Sequence, residues 1–269
     1  MTGRTRLIAF AVLTAISFAL ISCKKDNTLM YGNVTMGNFV GDKFISDQGN
    51  EFTIVENTTG KDFNGIERAI MQCDVLNKTE GVENGYDVRV SYLSSVLTKA
   101  PITPEDASAD PEKVINDPIM IEYAWVAGGY LNLYVSFEIQ YSPKLENSKH
   151  MVNLIYEKSE TGKYSLTLRH NAYGETLAGK KSESDDQGQL QSNDLIQWGL
   201  TGNYVSFQLS DLITEEEAEL TINWVEHVTD TMGSWLADVT SKTGTLTYSK
   251  KTQFEQAPLK LTTKTVVLE

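Results

Sequence analysis

Hydrophobic and polar positions alternate most regularly over residues 131–141. One face carries Leu131, Leu133, Val135, Phe137, Ile139 and Tyr141, and the other carries Asn132, Tyr134, Ser136, Glu138 and Gln140. A period of two over this length predicts a half-buried antiparallel strand. Gly128 and Gly129 separate it from a shorter apolar run at residues 119–126. The two runs therefore predict a β-hairpin.

The N-terminal third of the chain shows the same kind of pattern in shorter runs. Five candidate strands are separated by turns rich in Gly, Asp and Asn: residues 30–40, 43–46, 51–56, 66–76 and 86–97. Five strands within about seventy residues, with little helix, are typical of a small barrel such as the OB-fold. We therefore predict an OB-like β-domain over residues 23–98.

The segment 99–117 contains three prolines, small residues and charges, which predicts a linker. Residues 118–269 are expected to form an antiparallel β-sandwich, and the whole chain is predicted to be all-β. Further strands are expected at residues 151–157, 164–170, 204–209, 220–228, 246–248 and 259–268. The polar residues 175–194 suggest a surface loop. The capping-box spacing at residues 214–217 predicts one short helical turn.

Charge narrows the range of partners. The 269 residues carry a formal net charge of -13, from 23 basic and 36 acidic residues. An acidic surface repels phosphate backbones, which argues against nucleic-acid binding. The candidate barrel also lacks the basic groove with aromatic platforms that single-stranded nucleic acid requires.

The N-terminus has the features of a bacterial lipoprotein signal peptide. Arg4 and Arg6 precede the apolar stretch 7–20, which is too short to span a bilayer comfortably. The tetrapeptide Leu-Ile-Ser-Cys at residues 20–23 resembles a lipobox. We expect residues 1–22 to be removed and Cys23 to be lipidated, which would anchor the chain to the cell envelope. An outer-membrane location is expected, with the periplasmic or surface side left open.

The sequence gives little support for a nucleophilic cysteine or for a metal site. Cys73 lies in an apolar, strand-like run, so a buried thiol is favoured over an activated nucleophile. The three histidines, His150, His170 and His227, do not have metal-ligand spacing. His150 and His227 are expected to be solvent-facing strand residues. No cofactor and no catalytic residue are predicted.

The most concentrated polar cluster is His170, Asn171 and Tyr173, at the end of a predicted strand. These side chains could grip a polar ligand. Alternatively, they could satisfy backbone groups of the turn, with Tyr173 bonding as in a tyrosine corner. The second interpretation is favoured.

Three passages resemble a known family. They are Asp-Pro-Ile-Met-Ile-Glu at 117–122 with the Trp125 and Gly-Gly-Tyr-Leu-Asn region that follows, His-Met-Val-Asn-Leu at 150–154, and Leu-Arg-His-Asn-Ala-Tyr-Gly at 168–174. In this order, after a lipobox and a small β-domain, they resemble the NigD-like lipoproteins of Bacteroides-type bacteria. The resemblance implies an OB-like domain followed by a β-sandwich, in an envelope protein with a role in immunity to a bacteriocin. It implies no catalytic residues.

The function expected from the sequence is a non-catalytic binding module anchored in the envelope. Its partner could be an envelope protein, a peptide or a glycan. Two alternatives stay open at this point. One is an enzyme that acts on a glycan or peptide in the same compartment, and the other is an accessory subunit of an outer-membrane complex.

Overall fold

The computed structural model describes residues 33–141, 149–175, 197–229, 231, 235–250 and 267–268, and most of these lie in β-strands. The all-β fold class predicted from the alternation is confirmed. Cys23 and the predicted loop at residues 175–194 lie outside the described residues, except for Glu175. None of the described helices is long and apolar enough to cross a membrane.

The first five strands close into a barrel in the order β1-β2-β3-β5-β4. They are β1 (Asn33–Val40), β2 (Lys43–Ser46), β3 (Glu51–Asn57), β4 (Arg68–Lys78) and β5 (Gly85–Ser95). Strands β3 and β5 pair in parallel, whereas the other four pairs are antiparallel. Alternate inward positions fill the barrel with a core of buried side chains: Phe44, Phe52, Ala69, Met71, Cys73, Val88, Val90 and Leu93.

The remaining strands form two further sheets. Their order is β13-β12-β10-β9-β14 in one sheet and β6-β11-β8-β7 in the other. The strands are β6 (Leu97–Lys99), β7 (Met120–Ala127), β8 (Tyr130–Tyr141), β9 (Lys149–Glu160), β10 (Lys163–Asn171), β11 (Gln197–Gln208), β12 (Glu217–Thr229), β13 (Trp235–Ser249) and β14 (Val267–Leu268). Side chains of both sheets share one core, which includes Phe137 and Phe207 from one sheet and Leu154 and Leu166 from the other.

The hairpin predicted from residues 119–141 is present as β7 and β8. Leu131, Leu133 and Val135 are fully buried, as the alternation predicts. Gly128 and Gly129 form the turn with φ angles of 61° and 85°, which favour glycine. A Cβ at Gly128 would clash with the Asp47 carboxylate of the barrel, so this turn fits closely against the barrel.

The sandwich is mostly antiparallel but also contains three parallel pairs. Strand β6 pairs in parallel with β11, β10 with β12, and β14 with β9. A parallel pair needs a long crossover connection, and each of these pairs joins strands that are far apart in the chain. Hydrophobic alternation does not distinguish the two directions, since each gives the same period of two.

The segment predicted as a linker contains short helical elements. These are α1 (Pro104–Ser108), capped by the Thr103 side chain, and a 3₁₀ turn (Pro111–Val114), capped by Asp110. Ile102 bonds through its backbone to Leu154 and Tyr156 of β9. The segment therefore packs along the sandwich, and the domain boundaries at residues 98 and 118 stay predictions.

The prediction of a helical turn at residues 214–217 is wrong. Residues 215 and 216 form a bend, and β12 begins at Glu217. The Glu215 carboxylate bonds the Lys158 ammonium at 2.6 Å and the Tyr164 hydroxyl at 2.9 Å. Tertiary partners therefore bind a carboxylate within the segment for which local spacing predicted a helical turn.

The barrel and the sandwich meet through a mixed apolar and polar interface. Met36, Ile70 and Val96 pack with Trp125 and Tyr204 in a shared hydrophobic cluster. Beside them lies a buried group that we call the Arg68 cluster, made of Arg68, Asp47, Asn38, Asn132 and Ser206. Its members come from both parts of the chain: Arg68 belongs to β4 of the barrel, and Asn132 and Ser206 belong to β8 and β11 of the sandwich.

Arg68 bonds to every other member of its cluster. Its Nη1 and Nη2 lie 2.9 and 2.6 Å from the two Asp47 carboxylate oxygens, as a bidentate pair. Its Nε donates to the Ser206 hydroxyl at 2.9 Å, and its Nη2 also donates to the Asn132 amide oxygen at 2.8 Å. The guanidinium lies 4.2 Å from the centre of the Tyr130 ring. Each N–H of a buried guanidinium needs such a partner, because an unpaired buried charge is costly.

We expect Arg68→Ala to lower the free energy of unfolding by about 3–5 kcal/mol, because it leaves the Asp47 carboxylate buried without its cation. The matched control is Arg89→Ala. Arg89 also pairs with a barrel carboxylate, that of Glu56 at 2.7 Å, but the two side chains are 41% and 47% exposed. That control should cost at most about 1 kcal/mol. Urea denaturation measures both, and equal losses would show that the Arg68 cluster does not hold the interface.

Candidate functional site

The predicted polar cluster lies where β10 ends and runs beside residues 112–117. Asn116 forms an isolated bridge with His170, and the Asp117 amide donates to the His170 carbonyl at 2.8 Å. The structure thus brings His170, Asn171 and Tyr173 together with an edge segment that follows the 3₁₀ turn. His170 and Asn171 are buried, whereas Tyr173 is 45% exposed.

His170 forms a buried chain of hydrogen bonds with His150. The Nδ1 atom of His170 lies 3.0 Å from the Pro118 carbonyl, and its Nε2 lies 2.9 Å from Nδ1 of His150. A carbonyl oxygen only accepts, so Nδ1 of His170 carries the hydrogen and its Nε2 is the acceptor in the neutral ring. Nδ1 of His150 must then donate. Both imidazoles are therefore assigned as the Nδ1–H tautomer.

Burial keeps this pair neutral. Loss of hydration lowers the pKa of both His150 and His170 to about 4, and for His170 the neighbouring His150 ring adds to the effect. The two rings stack at 5.1 Å, and Phe137 covers His150 at 4.4 Å between ring centres. The Glu175 carboxylate lies 3.6 Å from Nε2 of His150, on the side away from His170.

Asn171 organises the turn. Its side-chain carbonyl accepts from the Tyr173 amide at 2.9 Å, and its side-chain amide donates to the Glu112 carbonyl at 3.4 Å. Nearby, the Asp117 carboxylate accepts from the Ala172 amide at 2.8 Å. The Asn171 and Asp117 side chains thus satisfy backbone amides of the turn, whereas His170 bonds the Pro118 carbonyl of the neighbouring segment.

Tyr173 differs from its two neighbours. Among the described residues other than glycine, Tyr173 is the one with a positive φ, 49°. Residues that have a Cβ adopt this backbone conformation at an energetic cost. The Tyr173 hydroxyl lies 3.3 Å from the Glu112 carboxylate on the surface. Val114 and Ile115 on the adjacent segment are 39% and 38% exposed. We call Tyr173, Val114 and Ile115 the Tyr173 face.

The expectation that His150 and His227 face solvent is wrong, since both are buried. His227 Nε2 lies 2.9 Å from the Glu138 carboxylate, and its Nδ1 lies 2.6 Å from the Leu236 carbonyl. Burial opposes the charged ring, but the Glu138 hydrogen bond and charge and the backbone carbonyl outweigh it and raise the pKa of His227. Two acceptors facing one imidazole favour the doubly protonated form.

The potential nucleophile and metal ligands occupy structural positions. Cys73 is a free cysteine inside the barrel core, and burial raises the pKa of its thiol to about 11. Within the described ranges, no three His, Cys, Asp or Glu side chains are grouped so that they could hold a metal ion.

The His150–His170 pair was not predicted, although the sequence contains a signal for it. His170 has the same parity as Leu166 and Leu168 on β10, and His150 has the parity of Val152 and Leu154 on β9. All four apolar residues are fully buried in the core, so the shared parity indicates that both histidines face inward.

Comparisons with known proteins agree with this architecture. Residues 100–184 match the family model of the NigD-like C-terminal beta sandwich domain. The resemblance to NigD-like proteins predicted from the sequence is thereby confirmed. A search of curated proteins finds no significant match.

Several solved structures share the fold, and the alignment with each of the following three covers 82% of this chain. A NigD-like immunity protein from Bacteroides caccae aligns over 97% of its length with a TM-score of 0.53 and 15% identity. A provisionally named toxin-related protein from Parabacteroides distasonis aligns over 94% with a TM-score of 0.51 and 21% identity. A provisionally named lipoprotein from Bacteroides fragilis aligns over 100% with a TM-score of 0.50 and 13% identity.

The histidine assignments predict a pH dependence. A pKa near 4 in the folded chain, against about 6.5 when unfolded, means that the unfolded chain binds more protons between these values. The stability contributed by neutral His150 and His170 is therefore complete above pH 6.5 and is lost as the pH falls toward 4. Protonated His227, whose pKa is raised in the folded chain, contributes stability in the opposite sense. This stability is complete below pH 6.5 and is lost as the pH rises through the raised pKa.

Imidazole ¹⁵N NMR checks these assignments directly. At pH 5.5 we expect His150 and His170 to be neutral Nδ1–H tautomers and His227 to be doubly protonated. A normal titration of His170 near pH 6.5 would contradict the buried chain of bonds.

Proposed function

We propose that this chain, which carries a NigD-like C-terminal β-sandwich domain, is a non-catalytic binding module of the cell envelope, anchored through a lipid on Cys23. The observation that carries the proposal is the exposed Tyr173, held in a strained backbone conformation next to the segment that carries Glu112, Val114 and Ile115. Its neighbours His170 and Asn171 bond inward and fix the turn that presents it.

Strain at an exposed aromatic residue supports binding. A glycine at position 173 would remove the side-chain penalty of a positive φ, which is of order 1 kcal/mol or more. The next residue is Gly174, with a φ of 88°, so the turn already accommodates glycine. Tyrosine supplies a large amphipathic surface of the kind that dominates protein interfaces. Keeping it at this position therefore favours a role in contact with a partner.

The partner we propose is an envelope protein or peptide, with immunity to a bacteriocin as the role. The resemblance to NigD-like proteins and the name of the Bacteroides caccae immunity protein motivate this role. The barrel order β1-β2-β3-β5-β4 supports an OB-fold for the first body, and the net charge of -13 argues against nucleic acid as its ligand.

Binding is favoured over catalysis because the described candidates for acid, base and nucleophile serve the fold. The neutral histidine pair, the His227–Glu138 bond and the buried Cys73 thiol each occupy a core position. A general acid or base must instead reach a substrate.

The lipid anchor is tested by fractionation. In Cys23→Ala, we expect the chain to move from the detergent-extracted membrane fraction to the soluble fraction, because it lacks the acyl chains. The matched control is Cys73→Ala, which removes the buried cysteine of the barrel core and should leave the partition unchanged. Membrane retention of the Cys23 variant would exclude the lipid as the anchor.

The binding face is tested by Tyr173→Gly. We expect this variant to change the free energy of unfolding by no more than about 1 kcal/mol, because relief of strain offsets the added chain entropy. It should nevertheless lose the envelope protein that the wild-type chain retains in quantitative affinity capture from native cells.

Two controls separate binding from folding. Val239→Ser alters a side chain that is 48% exposed on β13, a strand that is separated from β10 by β12, and should retain the partner. His170→Ala should lower the free energy of unfolding by about 1–3 kcal/mol, because His150 and the Pro118 carbonyl lose their bonds. Full capture by the Tyr173 variant would refute this face as the binding site.

A further inference from the structure

A cleft of about 320 Å³ opens on the surface of the barrel. Its walls come from the end of β1 and the following turn, from β3, and from the connection between β3 and β4. This volume lies at the lower end of the ~300–1,000 Å³ typical of small-molecule sites, and the mouths of barrels are common positions for them. The cleft is separate from the Tyr173 face, which belongs to the sandwich.

The cleft has an apolar, aromatic lining. Phe39 and Phe63 lie 6.0 Å apart between ring centres with their planes tilted by 35°. Ile54 and Ile66 complete the apolar part. All four are only partly buried and pack against the barrel core beneath them, so the core extends to the surface here. A ligand with an apolar face would gain contact with rings that the core already holds in place.

The same cleft is polar around this lining. Asp42 and Asn64 contribute a carboxylate and a side-chain amide. The loop that carries Asn64 is held by local bonds, since the Asp62 carboxylate accepts from the Asn64 amide at 3.0 Å and from its side chain at 2.8 Å. These bonds from Asn64 lower the pKa of Asp62. Asp42 and Asn64 both line the cleft, and the Asp42 carboxylate and the Asn64 side-chain carbonyl are hydrogen-bond acceptors.

Charge selects among ligand classes. None of the described residues that line the cleft is Lys, Arg or His, and Asp42 is acidic. Phosphate, carboxylate and sulfate groups would therefore meet like charge without a compensating cation. A long acyl chain would place only apolar surface against the carboxylate and amide, whose desolvation would be uncompensated. A neutral ligand with one apolar face and several hydroxyl donors fits both parts of the cleft.

We propose that this cleft binds a neutral sugar residue of a glycan. The apolar C–H face of the sugar ring would lie against Phe63 and Phe39, and its hydroxyls would donate to the Asp42 carboxylate and the Asn64 carbonyl. The site goes beyond the proposed partner of the sandwich, because it places a second, chemically different ligand on the barrel.

Protein-observed NMR titration tests the proposal on the chain without its signal peptide. The probes are N-acetylglucosamine, methyl α-mannoside and maltotriose, with N-acetylneuraminic acid as the anionic comparison. We expect at least one neutral sugar to give saturable shifts confined to residues 39–42, 54–57 and 63–66, with a dissociation constant of about 1–10 mM. The anionic sugar should bind at least about tenfold more weakly.

Variants separate this site from the general surface. Phe63→Ala and Asn64→Ala should each weaken sugar binding, Phe63→Ala by about tenfold or more, because it removes the ring face. Val55→Ala is the matched control on β3, since Val55 is 56% exposed and does not line the cleft. Asn64→Ala, an exposed loop change, keeps the test valid if Phe63→Ala unfolds.

Three outcomes would overturn the proposal. One is the absence of shifts with every neutral sugar up to roughly 50 mM, well above a millimolar dissociation constant. Another is an equal loss of binding in Val55→Ala. The third is shifts at the cleft with a peptide or fatty acid alone, which would assign it a different ligand. None of these results would alter the outcome of the Tyr173 experiment, which concerns the sandwich.

Discussion

The hydrogen bonds of the buried Arg68 guanidinium hold the barrel and the sandwich in their relative arrangement. Arg68 sits at the start of β4 and bonds to the barrel through Asn38 and Asp47 and to the sandwich through Asn132 and Ser206. A desolvated cation is tolerated only when its donors are matched in number and direction. Any shift of the barrel on the sandwich would break several of these bonds at once. The cluster therefore specifies one relative position, which a purely apolar interface would define less sharply.

A second buried polar system stabilises the sandwich near its exposed face. The chain from the Pro118 carbonyl through His170 to His150 ties the edge segment to β10 and β9. Asn171 and Asp117 then fix the turn that carries Tyr173. Polar groups of types that are common in catalytic sites thus provide rigidity here, and the residue presented at the surface is aromatic. Rigid presentation reduces the entropy lost when a partner binds.

Much of the fold could be predicted from local patterns, because each pattern reflects burial on one side of a strand. The alternation at residues 131–141, the Gly128–Gly129 turn and the five short N-terminal runs all correspond to observed elements. The same parity rule extended to His150 and His170 would have revealed their burial. It could not have revealed His227, because the burial pattern of β12 changes parity along the strand.

The Arg68 cluster was not predictable for a different reason. Arg68 and Ser206 lie 138 positions apart, and no local pattern records a contact at that separation. The parallel pairs of the sandwich have the same limitation, since periodicity is independent of strand direction. Glu215 illustrates the converse, where local spacing predicted a helical turn but Lys158 and Tyr164 bind the carboxylate. Tertiary partners decide such positions, and a single sequence does not name them.

If the Arg68 cluster joins the barrel and the sandwich, the two should unfold as one cooperative unit. Differential scanning calorimetry of the chain without residues 1–22 and without lipid measures this cooperativity. We expect a single transition in which the calorimetric and van't Hoff enthalpies agree, as for a two-state unit. Two resolved transitions in the wild-type chain, one for each body, would contradict it.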